Sequence, residues 1–123
     1  MAGERDLARL LQGLRPKLYP ERYSFAATVD EILRDGQFAL IREDEGLTSI
    51  QPDPEGEWAR ISLEVHSSLD AVGLTAELSA RLTEKGISAN IVAALHHDHL
   101  FVPWDRREEA LAILHGLEGG ATD

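Results

Sequence analysis

The 123-residue chain contains no cysteine, and that one absence removes disulfide staples, thiolate zinc sites, iron–sulfur clusters and cysteine nucleophiles together. Its stability must come from packing. Long apolar runs are missing too, since no stretch approaches the roughly 20 residues that a membrane-spanning helix requires. Positive charge is scarce: 12 Lys and Arg stand against 22 Asp and Glu, for a formal net charge of −10. Such a surface repels a phosphate backbone, and no dense Lys/Arg cluster offsets it locally. Neither nucleic acid nor a membrane is therefore an expected partner. The acidity also serves solubility on its own. Met1 to Arg9 is charged and has no signal-peptide core, so a cytoplasmic location is expected. No cofactor motif appears either: Gly116, Gly119 and Gly120 fall in a helix and tail, not between a strand and a helix as a phosphate cradle requires.

What is present fits one compact domain, or two very small repeats sharing one core. Leu7, Leu10, Leu11 and Leu14 recur at helical spacing behind Asp6, a suitable N-cap, with Pro16 just beyond the end. Strand formers follow over Arg22 to Val29, then Phe38 to Ile41, and Glu45-Gly46 turns the chain into Leu47 to Ile50. Gln51 to Glu57, rich in proline and acid, is the expected boundary.

Beyond it, Trp58 to Val65 alternates as a strand. A helix is expected from about Ala71 to Lys85, stopped by Gly86. Ile87 to Leu95 and Leu100 to Trp104 form a hairpin around His96-His97-Asp98, and Asp105 caps a last helix from Arg106 to Leu117. The expected division is 1–56, an N-terminal half reading α-β-β-β; 57–118, a half reading β-α-β-β-α; and a flexible tail over 119–123. The second half is one strand short of a ferredoxin-like βαββαβ unit. Strands from the first half would complete it, giving two interlocked repeats, or a dimer sharing sheet edges would do so.

Three segments carry a family resemblance. They are Arg42-Glu43-Asp44-Glu45-Gly46-Leu47-Thr48, the Val65 to Leu74 stretch followed by Gly86-Ile87-Ser88-Ala89-Asn90, and His97-Asp98-His99-Leu100-Phe101-Val102-Pro103. In this order and spacing the chain resembles ACT-domain proteins, and in particular small stand-alone bacterial ones similar to the tandem regulatory ACT region of aspartate kinases. The resemblance covers about Leu7 to Leu117. It implies an α+β fold of two interlocked ferredoxin-like βαββαβ repeats, with antiparallel sheets and helices on one face. It also implies a non-catalytic, often homodimeric protein that binds an amino acid or other small effector and signals to a regulated partner. No kinase, dehydrogenase or other catalytic domain is expected within these 123 residues.

The candidate ligand-binding residues are Ser67, Ser68, Leu69, Asp70, Val72, Gly73, Leu74, Asn90, Glu45 and Thr48. The Ser67 to Leu74 corner joins a strand end to a helix start, where hydroxyls and free N–H groups suit an effector carboxylate. Asp70 or a serine would hold the ammonium group, and Gly73 would allow close approach. The plainer reading is that Ser68 or Asp70 caps its own helix. Asn90 offers a donor and an acceptor, or bridges backbone groups. Glu45 and Thr48 lie in the comparable turn of the first half, which would face the Ser67 loop across a repeat interface or stand as a solvated hairpin. His96, His97, Asp98 and His99 are suitable metal ligands by type, but strand alternation brings only two together, so no metal site is expected. No Ser-His-Asp arrangement appears and no enzyme is expected. Trp58 and Trp104 are read as core or rim aromatics.

Overall fold

The computed structural model describes residues 6–67 and 72–119. Its elements are α1 (Leu7–Gln12), β1 (Pro16–Thr28), β2 (Ala39–Glu43), β3 (Gly46–Pro52), β4 (Trp58–Leu63), α2 (Leu74–Glu84), β5 (Asn90–Ala93), β6 (Asp98–Pro103), a 3-10 turn (Trp104–Arg106) and α3 (Arg107–Glu118). All six strands join one antiparallel sheet in the order β2-β3-β1-β4-β6-β5. Strands of both expected halves thus share one continuous antiparallel sheet.

Helix α1 starts where Asp6 accepts a hydrogen bond from the Arg9 amide at 3.2 Å, the capping expected of that residue. Strand β1 differs from the expected Arg22 to Val29, because it begins at Pro16 and runs through two prolines. Pro16 takes the first position. Pro20 falls between Leu18 and Arg22, where the pairing with β4 shifts register, so the irregularity absorbs a residue that cannot donate to the ladder.

Strand alternation sends Ala59, Ile61 and Leu63 of β4 and Leu100 and Val102 of β6 to one face. There they pack with Leu10 of α1, Leu74, Leu78 and Leu82 of α2, and Ala110, Leu114 and Leu117 of α3. All three helices therefore cover the same face. On the other face Tyr23, Ile50 and Phe101 form a smaller cluster, in which Phe101 meets the rings of Tyr23, Phe25 and Phe38 edge-on. Leu10 and Leu14 share the main core with residues of β4 to α3, so the described parts of the two expected halves share one core.

The segment β4-α2-β5-β6-α3 contributes three neighbouring strands, β4-β6-β5, and β1 from the start of the chain occupies the free edge of β4. The end of α3 and the beginning of β1 are also tied directly, since the Arg15 amide donates to Glu118 Oε2 at 2.7 Å. Several boundaries are tighter than the sequence suggests. Helix α2 starts at Leu74, β5 shortens to four residues, and a 3-10 turn precedes α3. Asp105 lies inside that turn, and Arg106 takes the N-cap position of α3 without a side-chain cap bond. The expected Asp105 cap is therefore not formed. Of the tail, Gly119 ends α3 and 120–123 lie outside the described residues.

Candidate functional site

The corner between β4 and α2 sits on the helix-covered side of the sheet, at the end of β6 where the strand begins. Ser67 is buried there, and its Oγ donates to Asp98 Oδ2 at a long 3.4 Å. Asp98 is the first residue of β6, shares its face with Leu100 and Val102, and is only 5% exposed. Burial raises its pKa above the ordinary value, while the Ser67 hydrogen bond and the neighbouring His97 pull weakly the other way. A carboxylate removed from water with one long side-chain hydrogen bond among the described residues is poorly compensated by them.

Close by, His97 Nδ1 is buried without a hydrogen-bond partner among the described residues. The His66 and His96 rings lie 6.0 Å apart. On the helix side of the corner the N-cap of α2 is Gly73, at φ 97°, with no side-chain cap bond. Only glycine enters that left-handed conformation without strain. Leu7 of α1 approaches it, since a Cβ on Gly73 would stand 3.5 Å from Leu7 Cδ2.

Of the candidate residues, Ser67, Val72, Gly73 and Leu74 belong to this corner. Val72 is 83% exposed whereas Leu74 is buried in the core. Ser68, Leu69 and Asp70 lie outside the described residues. Asn90 does not converge on the corner. It pairs with Phe101, on the helix-free face, and lies three residues from Ala93, the partner of Asp98, a separation of about 10 Å along the strand.

Glu45 and Thr48 are farther still. They line an open groove of about 660 Å³ with Ala27, Val29 and Glu43, where Thr48 Oγ1 donates to Glu43 Oε1. That groove lies beside Thr28, which pairs with Leu47, whereas the corner lies beyond Leu63, which pairs with Pro16. The two ends of β1 are roughly 40 Å apart along the strand, so within one chain the Glu45 turn does not face the Ser67 loop.

The histidine cluster is divided by the sheet. His99 points away from Asp98, bonds through Nδ1 to Ser62 Oγ at 2.7 Å and lies against the Phe38 ring. Burial first, then the positive charge of Arg60 and then His97, lower its pKa to about 4. Among the described residues no group of three His, Asp or Glu is placed to hold a metal. Asp98 is not among the candidate ligand-binding residues read from the sequence, which groups it with the histidines, although its alternation with Leu100 and Val102 places it on the apolar side.

An antiparallel sheet backed on one face by helices makes this a small α+β module. The family follows from two matches that together span most of the chain, one ACT-domain model over residues 2–67 and another over residues 55–116. The chain belongs to the ACT-domain family, whose members are regulatory, small-molecule-binding domains without catalytic activity. It is similar to a solved Vibrio cholerae protein of unknown function, described as a possible transport protein, at 36% identity and TM-score 0.71, over 87% of this chain and 92% of that one. A second solved protein, from Agrobacterium tumefaciens, shares the fold at 20% identity and TM-score 0.67, over 84% of this chain and 87% of that one. No curated protein matches the chain. No helix among the described residues is long and apolar enough to cross a membrane.

Proposed function

We propose that this protein is a regulatory ACT-domain protein that binds a free amino acid at the β4–α2 corner and performs no catalysis. The observation that carries this reading is the pairing of opposite demands at one place. Asp98 is a buried carboxylate that, among the described residues, has no ion-pair partner and only a long bond to Ser67, and the α2 N-terminus carries positive dipole charge with no side-chain cap bond at Gly73. A zwitterion satisfies both, with its ammonium on Asp98 and Ser67 and its carboxylate at the helix start near Gly73. Ser68, Leu69 and Asp70 belong to the same proposed site.

The strand order β1-β4-β6-β5 supports reading residues 57–118 as a ferredoxin-like βαββαβ unit whose last strand is β1, interlocked with the N-terminal half. The effect of the ligand on a regulated protein partner is limited to its differential affinity for two packing states. A cytoplasmic location and a likeness to the aspartate kinase regulatory region belong to the same proposal. Thermal shift against the twenty amino acids tests it: at least one must raise the melting temperature with dose, and Asp98→Asn must abolish the response. A flat panel with wild-type protein would overturn the amino-acid reading.

A second reading, a homodimeric assembly module with no ligand, is favoured by one observation. Val29, Ile32, Leu33 and Ile41 are exposed around the β1–β2 connection and edge strand β2, beside the groove that holds Glu45 and Thr48. A second copy is also what would be needed to bring Glu45 and Thr48 toward a Ser67 corner. Sedimentation of wild type and an Ile32→Asp, Ile41→Asp variant separates the readings, because a monomeric wild type removes the assembly module.

A further inference from the structure

Two cations converge on the helix-free face of the sheet, where nothing in the amino-acid reading requires them. Arg60 Cζ lies 4.0 Å from the centre of the Tyr19 ring, and Lys17 Nζ lies 4.8 Å from that same ring. Phe38 adds a second wall, its ring centre 4.5 Å from Arg60 Cζ. Ring faces attract cations, but two like charges at one ring repel each other. In a chain of net charge −10 a neighbouring carboxylate is the expected remedy, yet among the described residues neither cation has an acidic partner within ion-pair distance.

The guanidinium is itself incompletely bonded. Nη1 donates to the Tyr23 hydroxyl at 3.2 Å, and Nε is buried with no hydrogen-bond partner among the described residues. A buried donor left without an acceptor is destabilising. Arg60 is half-buried as a residue. The Ser62 hydroxyl, one residue pair along the same face, is held by His99.

We propose that Arg60, with Lys17, binds the carboxylate group of a small organic acid on the helix-free face. A planar guanidinium fork matches a carboxylate through two parallel N–H···O bonds. His99, with its pKa near 4, is neutral at pH 7, so the site offers two positive charges at most, one of them exposed. A monoanionic carboxylate is matched by the one guanidinium fork, with the exposed Lys17 as a secondary charge. The site lies across the sheet from Asp98 and stands or falls separately from the amino-acid corner.

The test follows the Arg60 Nε–Hε resonance of the ¹⁵N-labelled full chain during titration with sodium acetate, with sodium chloride holding ionic strength constant. A saturable shift is expected in wild type and in Asp98→Asn. Acetate binding should weaken about tenfold in Arg60→Lys, read from amide shifts, because the charge remains and the fork is lost. Lys17→Gln, at an exposed position, should weaken it about threefold and guards against a misfolded Arg60 variant. A static or merely linear response in wild type overturns the proposal. Tighter binding of inorganic phosphate overturns the assignment to a carboxylate. Self-association that depends on Arg60, with no acetate effect, assigns the site to an acidic side chain of a second copy and overturns the small-molecule ligand.

Discussion

Asp98 and His99 are adjacent in sequence and opposite in consequence. Burial raises the Asp98 pKa, so the folded state holds its proton more tightly than the unfolded chain, and ionised Asp98 weakens the fold at neutral pH. Asp98→Asn is therefore expected to keep or raise the urea midpoint at pH 7 while losing the amino-acid response; a large destabilisation would show that the carboxylate is structural. His99, lowered from 6.5 to about 4, works in the reverse direction. As pH falls from 6.5 towards 4 the unfolded chain takes up a proton that the folded one refuses, so stability falls across that window and is unaffected above it. Measured in the Asp98→Asn background, this slope should be present with His99 and absent in His99→Phe. The two residues were visible in the sequence as members of a tempting cluster. Their division between faces follows from period-two alternation, but the burial that sets their charges depends on what the helices and Phe38 cover.

Among the elements, legibility tracked how local the determining forces were. Helix α2 was readable because Leu74, Leu78 and Leu82 recur at i+4 and Gly86, at φ 71°, ends it. Strand β1 was half-readable. Its proline-bearing first part is a strand only because β4 pairs with it, a tertiary contact that local propensity opposes. The β4–α2 corner is proposed from its polar residues and its glycine, whereas Asn90, assigned to it by order along the chain, lies on the other face. The acidic Gln51 to Glu57 segment also does more than separate two halves. Gly56 packs against the Tyr23 backbone so closely that a Cβ would overlap its carbonyl, and Gly56 O accepts from Arg22 Nη1 at 3.1 Å. Gly56→Ala is expected to lower stability by about 2 kcal/mol or more, through forced backbone movement. An unchanged denaturation midpoint would show that the contact relaxes freely.

For the whole molecule, β1 from the beginning of the chain occupies the edge of β4, and the Arg15–Glu118 bond ties the two sites where α3 ends and β1 begins. Residues 57–119 expressed alone would expose the β4 edge and lose Leu10 and Leu14 from the core. That fragment is expected to show no cooperative melt, and a sharp transition in it would contradict the shared-core account.

Regulation by this fold depends first on where an amino acid lodges. Amide chemical-shift mapping of the full chain, during titration with whichever amino acid raises its melting temperature most, reads that location directly. Perturbations should concentrate on Ser67, Val72 to Glu77 and Asp98. Perturbations centred instead on Gly46 to Thr48, or a spectrum unchanged at saturating ligand, would contradict it.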